Sequence, residues 1–258
     1  MSAKLPTRII PIPNRDKGFH ETWTPDRDLM DFPHPFRAVL AARPGAGKTC
    51  IILNLILRVA QSPRPFQKII VVHCDPNTTK EYSKVKATLL AEVPKPSEFS
   101  GDRKTLVILE DIDFLSMKKE QKGCLDRLFG YVSTHKNVSV IATSQNPFTI
   151  PANVRRCANL FVFWSSHDLD ALSTLGRKSG LSAEQLHYIF TTQCTEYHDS
   201  LWIDLTSGTK HRFRKNCYEP VALSWRNKRK IPHAAPVQRK PTLLGPQAKR
   251  PRREKLVD

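Results

Sequence analysis

The chain has 258 residues, 40% of them hydrophobic and 25% charged, which is enough for one α/β domain with a full core or at most two small ones. Its six cysteines form no C-x-x-C pair, which argues against a disulfide scaffold or a zinc ribbon and for a reduced, intracellular chain. The net charge of +17 points to a polyanionic partner, nucleic acid first.

Residues 1–35 read as an irregular arm, rich in proline and charge and lacking the apolar core of a signal peptide. From Phe36 onward, short apolar runs alternate with helical patterns, the signature of βαβ units around a mostly parallel sheet. Strands are predicted near Arg37–Ala42, Lys68–His73, Leu106–Glu110, Val138–Thr143 and Leu160–Trp164. These runs barely alternate with polar residues, as strands buried on both faces require.

The segment from Lys48 to Ala60 is apolar nearly all round and predicts a helix packed inside. CIILNLIL within it is too short to span a bilayer, so the chain reads as soluble, with no membrane partner. Residues 118–134 place Leu125, Leu128, Phe129 and Val132 on one helical face. Ser182 and Gln185 form a capping-box pair ahead of a helix carrying Leu186, Tyr188 and Ile189. LWIDL and KHRFR, within 200–214, read as a hairpin around Thr206-Ser207-Gly208. The domain is expected over 36–225. Beyond it, 226–258 carries eleven basic residues against two acids, with five prolines, and reads as a disordered basic tail.

Three stretches carry chemistry. AARPGAGKT follows a predicted strand and opens a predicted helix, the setting of a phosphate-binding loop. Residues Ala42, Arg43, Pro44, Gly45, Ala46, Gly47, Lys48, Thr49 and Cys50 are its nucleotide-binding candidates. Gly45 and Gly47 let the backbone approach phosphate, Lys48 reaches the β/γ oxygens, and Thr49 offers a hydroxyl to Mg²⁺. Ala42 stands where the motif has glycine, the mildest departure available.

The second stretch, LVILED, is an apolar strand ending in Glu110 and Asp111, and buried ionised carboxylates need partners or a metal. In the usual order Glu110 holds Mg²⁺ through water, beside Thr49, while Asp111 polarises the attacking water; Asp113 is a third candidate. Many such enzymes have Asp before Glu, so the roles can exchange. The third is the strand 138–143, ending in Thr143-Ser144-Gln145-Asn146. In P-loop ATPases of the additional-strand class, such a strand lies between loop strand and acidic strand and ends in a γ-phosphate sensor. Gln145 or Ser144 fits that place.

PFRAVLAARPGAGKT, LVILEDIDFLS and VSVIATSQNPFTIPANVRR, followed by LFVFW, resemble the genome-packaging ATPases of poxviruses and related large DNA viruses, within the FtsK–HerA superfamily of DNA translocases. The resemblance spans roughly Pro35 to Ser165. It implies a RecA-like P-loop NTPase core, α/β with a mostly parallel central sheet flanked by helices. It implies ATP and Mg²⁺ as cofactors, a homo-oligomeric ring, double-stranded DNA as cargo, and a capsid or portal-vertex protein as partner. It also implies an arginine donated to the neighbouring subunit's ATP, and Arg155 and Arg156 occupy the matching segment.

The tail departs from that family. Arg226, Lys228, Arg229 and Lys230, and Lys249, Arg250, Arg252 and Arg253, form basic clusters that read as nuclear import signals or as a DNA-backbone arm. They point to a eukaryotic virus assembling in the host nucleus. Rival readings are a replicative helicase, a small-molecule kinase whose acidic strand would neighbour the loop strand, and a non-enzymatic basic capsid-core protein.

Overall fold

The computed structural model describes residues 34–62, 65–75, 80–165, 169–207 and 211–223. Most of the N-terminal arm, the tip of the 200–214 hairpin with Gly208, and both basic clusters of the tail lie outside these residues.

The strands are β1 (Arg37–Ala41), β2 (Lys68–His73), β3 (Ala87–Leu90), β4 (Thr105–Glu110), β5 (Val138–Ser144), β6 (Leu160–Trp164), β7 (Ser200–Asp204), β8 (Phe213–Lys215) and β9 (Glu219–Pro220). They form one sheet in the order β3-β2-β4-β5-β1-β6-β7-β8-β9. From β3 to β6 every pairing is parallel. From β6 to β9 every pairing is antiparallel. The predicted α/β class with a mostly parallel sheet is therefore the observed one.

Helices cover both faces. Helix α1 (Lys48–Ala60) buries Ile52, Leu55, Ile56 and Val59 in the layer holding Ala38, Leu40, Ile108, Ile141 and Val162. Opposite it, helix α2 (Lys119–Arg127), the short α3 (Ser133–His135), α4 (Ala152–Cys157) and α6 (Ala183–Thr192) lie with Val39, Val107, Leu109, Val140 and Phe161. Helix α5 (Leu169–Ser179) precedes α6. Adjacent residues of one strand thus enter different cores, which explains why the central strands are unbroken apolar runs.

Four expectations change. Helix α1 is not buried all round: Cys50 and Asn54 face solvent and Leu57 is 53% exposed, because only one flank meets the sheet. The 118–134 helix is interrupted by a π-helical segment over Leu128–Val132, where the Ser133 amide bonds back to the Leu128 carbonyl. That wider turn still buries Leu125, Leu128, Phe129 and Val132. The capping box of α6 forms in both directions, at 3.1 Å and 2.8 Å, but Tyr188 is exposed and Phe190 takes its place in the core. Strand β3 had no prediction, since its exposed, edge-of-sheet ATLL lacks the long apolar run of the central strands.

Candidate functional site

The parallel strands end together. Ala41 of β1 lies in register with Ser144 of β5, and Leu109 of β4 with Ala142. The turns leaving β1, β4 and β5 therefore share one edge of the sheet, the usual place for a ligand in an open α/β fold.

The phosphate loop occupies the first of these turns. Gly45 and Gly47 have φ of 75° and 107°, left-handed values that favour glycine and turn successive amides inward. Ala42 is not among the positive-φ residues; its amide donates to the Ser144 carbonyl at 3.1 Å. A methyl group is compatible there because the position needs no left-handed backbone. Lys48 is buried, and its ammonium donates to the loop carbonyls of Ala42 at 3.0 Å and Arg43 at 3.4 Å. Arg43, Pro44, Gly45 and Cys50 are exposed, whereas Ala42 and Ala46 are buried.

The structure brings the candidate metal ligands into contact. The Thr49 hydroxyl donates to Glu110 Oε1 at 2.6 Å. Glu110 Oε2 is buried without a hydrogen-bond partner. A buried carboxylate oxygen beside a hydroxyl, both hard oxygen donors, suits Mg²⁺.

Asp111, the next residue, is more open to solvent than this pair. It is exposed, has φ of 45°, a conformation that Asp and Asn tolerate better than other side chains, and donates its amide to Thr143 Oγ1 at 3.1 Å. The adjacent acids thus have different surroundings, one at the hydroxyl of the loop and one facing outward. Asp113 is spent locally: its Oδ1 accepts the amides of Leu115 and Ser116. Those bonds, with the Ser116 side chain foremost, hold its carboxyl below the usual range.

At the end of β5, Ser144 Oγ donates to the Asn146 carbonyl at 2.8 Å and lies 3.0 Å from Thr149 Oγ1, so the serine is engaged in its own turn. Gln145 is exposed beside it. On α4, Arg155 is half-buried and Nη1 donates to the Pro147 carbonyl at 2.9 Å. Arg156, the next residue, is exposed.

Two contributions had no motif to reveal them. Tyr82, on a 3₁₀ turn over Lys80–Lys84, is buried with its hydroxyl facing Glu110. Burial first, then the Glu110 charge, pushes its phenol above the usual range, while neither its hydroxyl nor Glu110 Oε2 makes a hydrogen bond. The other is Tyr197-His198, whose His198 Nδ1 lies 3.2 Å from the Ala46 carbonyl. A lone tyrosine in a polar stretch carries no signal; an aromatic pair immediately before a strand carries a faint one.

A model of the ATPase family associated with various cellular activities (AAA) matches residues 38–164, which hold the loop, the acidic strand and β5. The chain carries an AAA-type P-loop ATPase domain, and it is an ATP hydrolase. Among curated proteins, none matches its sequence. Among solved structures, the ATPase chain is similar to the genome packaging NTPase B204 from Sulfolobus turreted icosahedral virus 2 in complex with ATP-gammaS. The identity is 16% and the TM-score 0.51, over 76% of this chain and 100% of that one. It is similar as well to B204, the DNA-packaging ATPase from Sulfolobus turreted icosahedral virus, at 14% identity and TM-score 0.52, over 73% and 98% of the two chains. At these identities the likeness is one of fold. The sheet order also removes the small-molecule kinase rival, because β5 separates the acidic strand from the loop strand.

Proposed function

We propose that this ATPase is one subunit of a ring-shaped motor that moves viral double-stranded DNA into a capsid, driven by Mg²⁺-dependent ATP hydrolysis. The observation that carries the reading is the position of β5 between β1 and β4, with Gln145 following its last residue. A side chain there lies between phosphate loop and acids, where loss of the γ-phosphate can be passed to a neighbouring element. The fold shared with B204, the +17 charge and a sequence pI near 9.8 support the same reading.

The residues divide the work as follows. The backbone amides of Gly45 to Cys50 cradle the phosphates, and Lys48 leaves its own loop carbonyls to meet the β/γ oxygens. Thr49 and Glu110 hold Mg²⁺, which when bound neutralises charge on the β- and γ-phosphates. Asp111 orients the attacking water and Gln145 meets the γ-phosphate. Because Arg155 is occupied by Pro147, Arg156 is the arginine that reaches a neighbouring subunit's ATP. The basic clusters of the tail bind DNA backbone and direct the chain to the host nucleus, and a capsid or portal-vertex protein receives the ring. In this reading the chain is a poxvirus-type, FtsK–HerA motor of a nuclear eukaryotic virus.

Displacement of a third strand annealed to duplex DNA tests the motor. A translocase should strip it in an ATP-dependent reaction while leaving the duplex paired. Separation of the duplex strands would instead favour the helicase reading, and turnover without displacement would overturn translocation.

A further inference from the structure

We propose that Tyr197 and His198 form the wall that receives the nucleoside half of ATP, with the tyrosine face stacking on the purine. This inference rests on the ATPase reading and adds a nucleoside-binding subsite to it.

The segment 193–199 joins α6 to β7. Since β7 runs antiparallel to β6, its first residue stands at the same sheet edge as the phosphate loop: Ser200 pairs with Trp164, the last residue of β6. The segment consequently meets the loop from the β6 side, opposite Gln145 and the acids. His198 Nδ1 lies 3.2 Å from the Ala46 carbonyl, which can only accept, so the ring donates from Nδ1. The Tyr197 hydroxyl would lie 3.7 Å from a Cβ built on Gly45. The two rings meet edge to face, with centroids 4.8 Å apart and planes at 82°.

Tyr197 is 69% exposed, yet its backbone is firmly held. Asp199, buried beside it, accepts the Glu196 amide at 3.0 Å and the Asn216 side-chain amide at 2.6 Å, and pairs with Lys215 at 2.9 Å. Strand β8 and the turn after it thus anchor the segment. A tyrosine presented on an anchored turn at the lip of a phosphate loop offers exposed ring surface at small entropic cost, and base–aromatic stacking depends little on base identity.

Calorimetric titration of the full chain with Mg²⁺-ATP and with Mg²⁺-tripolyphosphate, which lacks base and ribose, separates the alternatives. Tyr197→Ala should weaken ATP binding about tenfold and leave tripolyphosphate binding unchanged. Tyr197→Phe should keep the ATP affinity. Equal losses for both ligands would mean that the ring only props the loop, and an unchanged ATP affinity would mean that it serves another partner; either result overturns the proposal. Wild-type chain that bound neither ligand would overturn the ATPase reading itself.

Discussion

The two ends of the sheet solve the same problem by different means. From β3 to β6 the strands are parallel and apolar on both faces, and their functional groups are delivered by backbone geometry: a glycine loop, a left-handed Asp111, a turn after Ser144. From β7 to β9 the strands are antiparallel and short, and polar side chains hold them. Arg214 and Asp204, 1% and 0% exposed, pair across β7 and β8 at 3.6 Å, while Asp199 clamps Lys215 and Asn216. One end carries the candidate phosphate loop; the other brings an aromatic pair to its rim. A nucleotide site can therefore draw its reactive groups from the part of the fold most constrained by burial and its edge from the part most constrained by charge.

The largest effect should come from Arg156. Its replacement by Ala should slow turnover by about 10³–10⁵-fold if it acts across a subunit boundary. Mixing Arg156→Ala with Lys48→Ala chains should restore part of the rate at mixed interfaces. Mixed oligomers without recovery would assign the arginine to its own subunit or to DNA.

Next are the two acids. Asp111→Asn keeps a side chain that tolerates the left-handed backbone, so it isolates the charge. Turnover should fall about 10²–10⁴-fold with ATP still bound, whereas Glu110→Gln should weaken Mg²⁺-ATP binding. Exchanged phenotypes would exchange the roles, and full activity in both would remove the acidic strand from the chemistry.

Breaking the antiparallel end tests stability instead. Arg214→Met removes the buried guanidinium paired with Asp204 and should cost about 3–5 kcal/mol, read as a lower urea midpoint. A loss below about 1 kcal/mol would show that the hydroxyls of Thr206 and Ser207, which also donate to Asp204, suffice.

These polar clamps are also where the sequence was least legible. The central strands announced themselves because both faces are buried, and GAGKT, ED and SQN each stand at a strand end where chemistry concentrates. Ala42 read as the mildest departure from the motif, and the backbone supplies the reason, since no left-handed φ is needed there. Strand β9 had no periodicity to read, and the partnership of Tyr82 with Glu110 or of Asp199 with Lys215 arises only when distant segments pack.

The smallest effect is one of pH. Burial works to raise Asp199, but bonds from Lys215, the Glu196 amide and Asn216 outweigh it and hold the carboxyl below the usual range. A depressed carboxylate stabilises the fold above its unfolded pKa and loses that contribution as pH falls through its folded one. The stability difference between wild type and Asp199→Asn should therefore be constant near neutrality and shrink on acidification below the ordinary carboxylate range. A difference that grew in acid would refute the clamp.

The most direct measurement is steady-state ATP turnover by the purified chain with Mg²⁺, with and without duplex DNA. Turnover should require the metal, rise when duplex is added and vanish in Lys48→Ala. A folded, oligomeric wild-type protein that hydrolyses no ATP with both present, or a Lys48→Ala chain as active as wild type, would contradict the assignment of this edge of the sheet as an ATP-driven motor site.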